Sequence, residues 1–112
     1  MLTTTQDNFS NYEIQEVVGI ARGNTVRARH IGKDIVAGFR NMVGGEIYEY
    51  TKMLAEAREQ AYDRMIEDAK SMGADAVVCF RFQTSTIMQA CEILCYGTAV
   101  KLKNDDKGHH RE

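Results

Sequence analysis

The chain has 112 residues, 44% of them hydrophobic, and its 14 basic and 16 acidic residues leave a formal charge of −2. That size and hydrophobic share describe one ordinary folding unit, and the charge, spread without a basic block or an aromatic-rich basic stripe, argues against nucleic acid as a partner. No run approaches the roughly 18 apolar residues of a membrane span, and Met1 to Thr5 lacks the basic and apolar stretches of a secretion signal.

The first alternating stretch, Glu13 to Ile20, sets Ile14, Val18 and Ile20 on one side and Gln15 and Val17 on the other, which predicts a strand weakened or bent at Gly19. Gly23-Asn24 is a turn signal, after which Thr25 to Arg29 alternates again, either as a second short strand or as a bent continuation of the first. Asp34 is placed to cap a short helical turn through Ile35, Ala37 and Phe39, which Gly44-Gly45 ends. From Glu46 to Met72 the chain has no Gly or Pro and is rich in Ala, Glu, Met, Leu, Lys and Arg, which predicts a helix stopped by Gly73.

Ala76 to Phe82 then reads as a strand, Gln83 to Gln89 as a turn, and Ala90 to Leu102 as a third, longer strand. Asn104 to Glu112 is polar and charged and reads as a disordered tail after a single domain of residues 1–103. A long connection through the helix lays the first strand parallel to the second, while the short link makes the second and third antiparallel. With the third strand between the other two, the expected fold is α+β: β-α-β-β, with one long helix on a three-stranded, mainly antiparallel sheet of order 1-3-2.

The helix carries the strongest inference. At about 100° per residue, Ile47, Tyr50, Leu54, Ala57, Ala61, Met65 and Met72 form one stripe, which Tyr48, Ala55, Tyr62, Ile66 and Ala69 widen. The arc approaches half the circumference, whereas covering a small sheet needs roughly 100°. The excess predicts a subunit contact. Arg58 falls inside that arc, where its guanidinium either meets a carboxylate or carbonyl partner or snorkels to the surface.

The three cysteines, Cys79, Cys91 and Cys95, are an odd count in a chain without a secretion signal, and they read as reduced packing residues of a cytoplasmic protein. On a strand, Cys91 and Cys95 lie about 13 Å apart, too far to share one metal ion at thiolate distances of about 2.3 Å. Cys79 is expected to face Cys95 across the hairpin, and with His30 these two are the candidate ligands for a divalent or soft metal ion. His109 and His110 fall in the tail. Glu46, Glu49 and Tyr50 offer acid and acceptor groups at the helix start, with Arg27, Arg29 or Arg40 as anion partners. No nucleophile and base are paired, so a non-catalytic role is expected. The candidate ligand or interface residues are Glu46, Tyr50, Arg58, Arg27 and Tyr96.

Gly44-Gly45-Glu46 through Tyr50-Thr51, Arg58-Glu59-Gln60-Ala61 with Arg64-Met65, Gly73-Ala74-Asp75-Ala76-Val77-Val78 and Tyr96-Gly97-Thr98-Ala99-Val100 together resemble the YbjQ-like family. Gly19-Ile20, Gly23-Asn24-Thr25-Val26, Asp34 and Ala37-Gly38 fit the same pattern, and the match runs over residues 3–102. The resemblance implies a dodecin-like subunit assembled into a homo-oligomeric ring, a pentamer. Members often carry a heavy-metal-binding label, which finds no cysteine or histidine cluster in this chain. The family commonly has glycine where this chain has Cys79. The expected function is a ring that serves as scaffold or small-ligand binder, with heavy-metal binding as the alternative.

Overall fold

The computed structural model describes residues 1–28, 44–87 and 90–103. His30, Arg29, Arg40, the turn expected after Asp34 and the polar stretch from Asn104 onward lie outside the described residues. In chain order the elements are β1 (Leu2–Thr3), β2 (Ile14–Ala28), α1 (Gly44–Ser71), β3 (Ala76–Ile87) and β4 (Ala90–Leu102).

β2 is one continuous strand, so the stretch after Gly23-Asn24 is the continuation rather than a second element. Gly23 serves close approach instead of a turn. A Cβ there would lie 2.3 Å from the Met65 amide nitrogen and 2.5 Å from the Ala61 carbonyl oxygen, so the backbone of α1 rests directly on the strand. Two register shifts, between Ile14 and Glu16 and between Val17 and Gly19, break the expected grouping of Ile14, Val18 and Ile20. Each such bulge changes which face the following side chains take. As a result Val18 packs under the helix, Ile14 packs on the opposite face, and Ile20 is 58% exposed.

The helix ends as its sequence predicts. Gly73 takes a left-handed φ of +80°, Gly73 N–H donates to the Lys70 carbonyl at 3.0 Å, and Ala74 N–H donates to the Ala69 carbonyl at 3.1 Å. This pair of bonds satisfies carbonyls that the last turn would otherwise leave open. The buried stripe is Ala57, Ala61, Met65 and Ala69, against Ala21, Val77, Cys91, Ile93, Cys95 and Ala99 of the sheet. Leu54, Tyr62, Ile66 and Met72 flank it, partly buried. Small residues on both sides, Ala61 on the helix and Gly23 and Ala21 on the strand, accompany this close approach.

The stretch expected to be a turn, Gln83 to Gln89, is strand as far as Ile87, paired from Gln83↔Leu94 to Ile87↔Ala90. Its Gln-Thr-Ser-Thr polarity reflects exposure, since Gln83, Thr84 and Thr86 all face solvent. Threonine is β-branched and suits an exposed strand. The three predicted strands take the expected order, β3-β4-β2, but the sheet has four strands in the order β1-β3-β4-β2. The extra member, β1, pairs parallel with β3 through Leu2↔Ala76 and Thr3↔Val77. A two-residue strand is too short to show alternation, and its pairing is supplied by β3. The described residues thus form a mixed sheet with one long helix on one face.

After β1 the chain crosses the other face of the sheet. Phe9 and Tyr12, in edge contact at 6.4 Å between ring centroids, pack with Ile14 and Cys79 on Ala76, Val78, Val100 and Leu102. No helix among the described residues is long and apolar enough to cross a membrane.

Candidate functional site

The position of α1 is asymmetric. On the β2 side its side chains reach past the strand and bond its outer backbone groups: Arg64 Nη1 donates to the Asn24 carbonyl at 2.7 Å, and Asp68 Oδ2 accepts from Arg22 N–H at 3.0 Å. Arg27 Nη2 donates to Gln60 Oε1 at 3.1 Å on the same flank. An open strand edge is a template for pairing with another chain, and these bonds close the middle of this one.

The β3 side is left open. Only the first residues of β3 have outer partners, where Val77 accepts from Thr4 N–H, Cys79 N–H donates to Gln6 and Phe80 N–H donates to Thr4. From Arg81 to Ile87 no outer backbone partner occurs among the described residues. Alongside runs a groove of about 380 Å³ lined by Ala55, Arg58, Glu59 and Tyr62 of α1 and by Phe80 and Phe82 of β3. Its floor is aromatic. Tyr62 and Phe80 meet at 5.5 Å between centroids, Phe80 and Phe82 at 6.1 Å, and the Tyr62 hydroxyl is tied to Thr3 Oγ1 at 2.8 Å. Phe82 remains 40% exposed.

The residues expected to form a ligand or interface site are distributed rather than gathered. Arg58 is exposed at the groove, with no hydrogen bond or ion pair among the described residues. Arg27 lies on the opposite flank, and its Nε is buried with no acceptor among the described residues. Tyr96 is on the sheet face away from the helix, in register with Arg22 and Arg81. Glu46 and Tyr50 belong to the first two turns of α1.

The two candidate thiols are not neighbours. A register shift between Val78 and Arg81 puts Phe82, not Cys79, opposite Cys95. Cys95 packs under the helix, while Cys79 packs on the other face with Phe9 and Tyr12. The shift is centred on Cys79 itself, which adopts a left-handed φ of +57°. Cys95 is fully buried and its S–H points at Met65 Sδ at 3.5 Å. Burial pushes its thiol from 9.0 up to about 11, which keeps it protonated and a poor ligand. No group of three or more His, Cys, Asp or Glu side chains able to hold a metal ion occurs among the described residues. The donors among the described residues therefore do not assemble a heavy-metal site.

Sequence reasoning missed Phe80 and Phe82 as site residues. Their two-residue spacing does signal a shared face. What it could not show is that the bulge at Cys79 turns that face toward the helix and that the helix stops short of covering it.

A family model described as "Putative heavy-metal-binding" matches residues 1–103. A UPF0145 protein of Methanococcus vannielii is 58% identical over 104 residues, covering 92% of this chain and 99% of that one. UPF0145 proteins of Archaeoglobus fulgidus, 55% identical over 92% of this chain and 96% of theirs, and of Photobacterium profundum, 56% identical over 91% and 100%, are similar to the same extent. Among solved structures, a protein of unknown function of the DUF74 family from Pediococcus pentosaceus superposes with a TM-score of 0.63 at 14% identity, covering 92% of this chain and 98% of that one. At that identity the likeness concerns the fold. By sequence, the chain belongs to the YbjQ-like family, whose members here carry the name UPF0145.

Proposed function

We propose that this chain is a subunit of a homo-oligomeric ring, five being the number that the family resemblance implies, which acts without catalysis as a scaffold or small-ligand binder in the cytoplasm. The observation that carries the reading is the offset of α1, which gives the subunit two unlike flanks. One is sealed by Arg64, Asp68 and Gln60. The other offers, among the described residues, an open strand edge and an aromatic groove with an unpaired Arg58 at its rim. A contact between unlike surfaces repeats around an axis and closes into a ring when the rotation permits.

Charge supports the same pairing. Glu56 and Glu67 are exposed and, at 100° per residue, lie on the Gln60 flank of the helix, opposite Arg58. A neighbouring copy docking that flank on the groove brings these carboxylates toward Arg58. Three free cysteines suit a reducing compartment.

Sedimentation velocity on the unmodified chain at micromolar concentration tests the reading, with a single species larger than a monomer expected. Arg58→Glu is expected to leave the subunit folded, because Arg58 is exposed and makes no hydrogen bond or ion pair among the described residues. It should raise the dissociation concentration by about tenfold or more, since like charges across an interface repel. A monomeric parent protein would sink the proposal.

A further inference from the structure

The sheet face away from α1 is covered only in part. Phe9, Tyr12 and Ile14 lie over Ala76, Val78, Val100 and Leu102, and beyond them nothing among the described residues packs over Tyr96, which is 36% exposed. There the registers align three side chains across the sheet: Arg22 opposite Tyr96, and Tyr96 opposite Arg81. Directly opposed residues share a face, with Cβ atoms about 4.5–5.5 Å apart, so Arg22, Tyr96 and Arg81 form one continuous row.

Each member is free to act. Tyr96 is 36% exposed, and its side chain has no hydrogen bond or ring contact among the described residues. The Arg22 side chain is exposed and likewise unpartnered. Arg81 differs, because its Nη1 donates to the carbonyls of Thr5 and Phe80, both at 3.1 Å. Those bonds hold the guanidinium in place while its other nitrogens keep their donors. Glu92, on the same face of β4 as Tyr96, is engaged with Asn24 Nδ2 at 3.0 Å, and Asp68 accepts from the Arg22 backbone N–H at 3.0 Å.

An open aromatic ring between two guanidinium groups has a definite ligand chemistry. Guanidinium groups recognise phosphate through paired, charge-assisted hydrogen bonds, and an exposed ring stacks any nucleobase. We propose that the Arg22, Tyr96, Arg81 row binds a nucleoside monophosphate, with the base stacked on Tyr96, Arg81 bracketing it and the uncommitted Arg22 guanidinium holding the phosphate. The row is complete within one subunit, so it stands or falls independently of the ring.

Isothermal titration of the full chain with AMP, adenosine and inorganic phosphate tests it. AMP should bind at least about tenfold more tightly than either half alone. Arg22→Ala and Tyr96→Ala should each lower AMP affinity by about tenfold, whereas Tyr96→Phe, which keeps the ring, should stay within about threefold of the parent. Both positions are exposed, and circular dichroism on each variant confirms that the fold is intact. Absence of AMP binding, equal binding of AMP and phosphate, or an AMP affinity indifferent to both alanine variants would overturn the proposal.

Discussion

Gly23→Ala adds a single methyl group where the structure has no room for one. Its Cβ would stand 2.3 Å from the Met65 amide nitrogen, 2.5 Å from the Ala61 carbonyl oxygen and 2.6 Å from the Arg64 carbonyl carbon. Non-bonded heavy atoms settle near 3.5–4.0 Å, so relief requires lifting α1 from β2 by about 1 Å. The obstacle is helix backbone, which cannot swing aside as a side chain can. Lifting it loosens Ala57, Ala61, Met65 and Ala69 together and strains the Arg64 to Asn24 and Arg22 to Asp68 bonds that seal the strand. Overpacking a tight core costs about 1–3 kcal/mol, and a backbone obstacle belongs at the top of that range. Alanine also stiffens the unfolded chain, which offsets about 0.4–1 kcal/mol. A net loss of about 2 kcal/mol remains, a shift of about 1 M in the urea midpoint for a chain of this size. Equilibrium urea unfolding of parent and variant, followed by circular dichroism, measures it. If Gly23→Ala proved as stable as the parent, the helix would not rest on the strand there, and the glycine would be an ordinary turn residue after all.

Three further outcomes follow from the thiols and the donor set. Cys79 holds a left-handed φ, a conformation that costs a non-glycine residue about 1–2 kcal/mol, so Cys79→Gly should leave stability within about 1 kcal/mol of the parent while Cys79→Val, branched at Cβ, should lose more. Thermal unfolding should rank them in that order; valine at or above glycine would refute the backbone argument. The Cys95 thiol, raised to about 11 by burial, should resist iodoacetamide at neutral pH in the folded protein and react in denaturant. Because the folded chain holds this proton more tightly, the associated stability is full below pH 9 and declines as pH rises from 9 toward 11. A flat urea midpoint across that window would contradict it. Calorimetric titration with Zn²⁺, Cu⁺ and Ni²⁺ of a chain ending at Lys103 should detect no binding tighter than millimolar, since Cys79 and Cys95 occupy opposite faces of the sheet; micromolar binding would reinstate the metal reading.

Local pattern alone carried the long elements. The helix was legible because Glu46 to Met72 lacks glycine and proline and because Gly73 closes it through bonds to Lys70 and Ala69 that any such sequence can make locally. The final strand, Ala90 to Leu102, was legible from its apolar run, and the order of the three main strands followed from connection lengths. Ala55, Arg58 and Tyr62 of the widened helix arc line the groove beside β3. What failed were the features that depend on a distant partner. Gly23 resembles a turn until Met65 and Ala61 are placed above it, β1 exists only because β3 pairs with it, and Gln83 to Ile87 resembles a turn until β4 lies alongside.

The candidate sites divide the same way. Residue types were readable, but which faces they share was not, because bulges between Val17 and Gly19 and between Val78 and Arg81 each reset the alternation. One added residue moves every later side chain to the other face. That parity separated Cys79 from Cys95, exposed Ile20, and set Phe80 and Phe82 beside the helix. The sequence by itself determined the elements, their order and the apolar helix stripe, since these rest on contacts near in the chain. Only the tertiary structure decided the offset of α1, the open β3 flank and the Arg22, Tyr96, Arg81 row, since each depends on where backbone from a remote segment comes to lie.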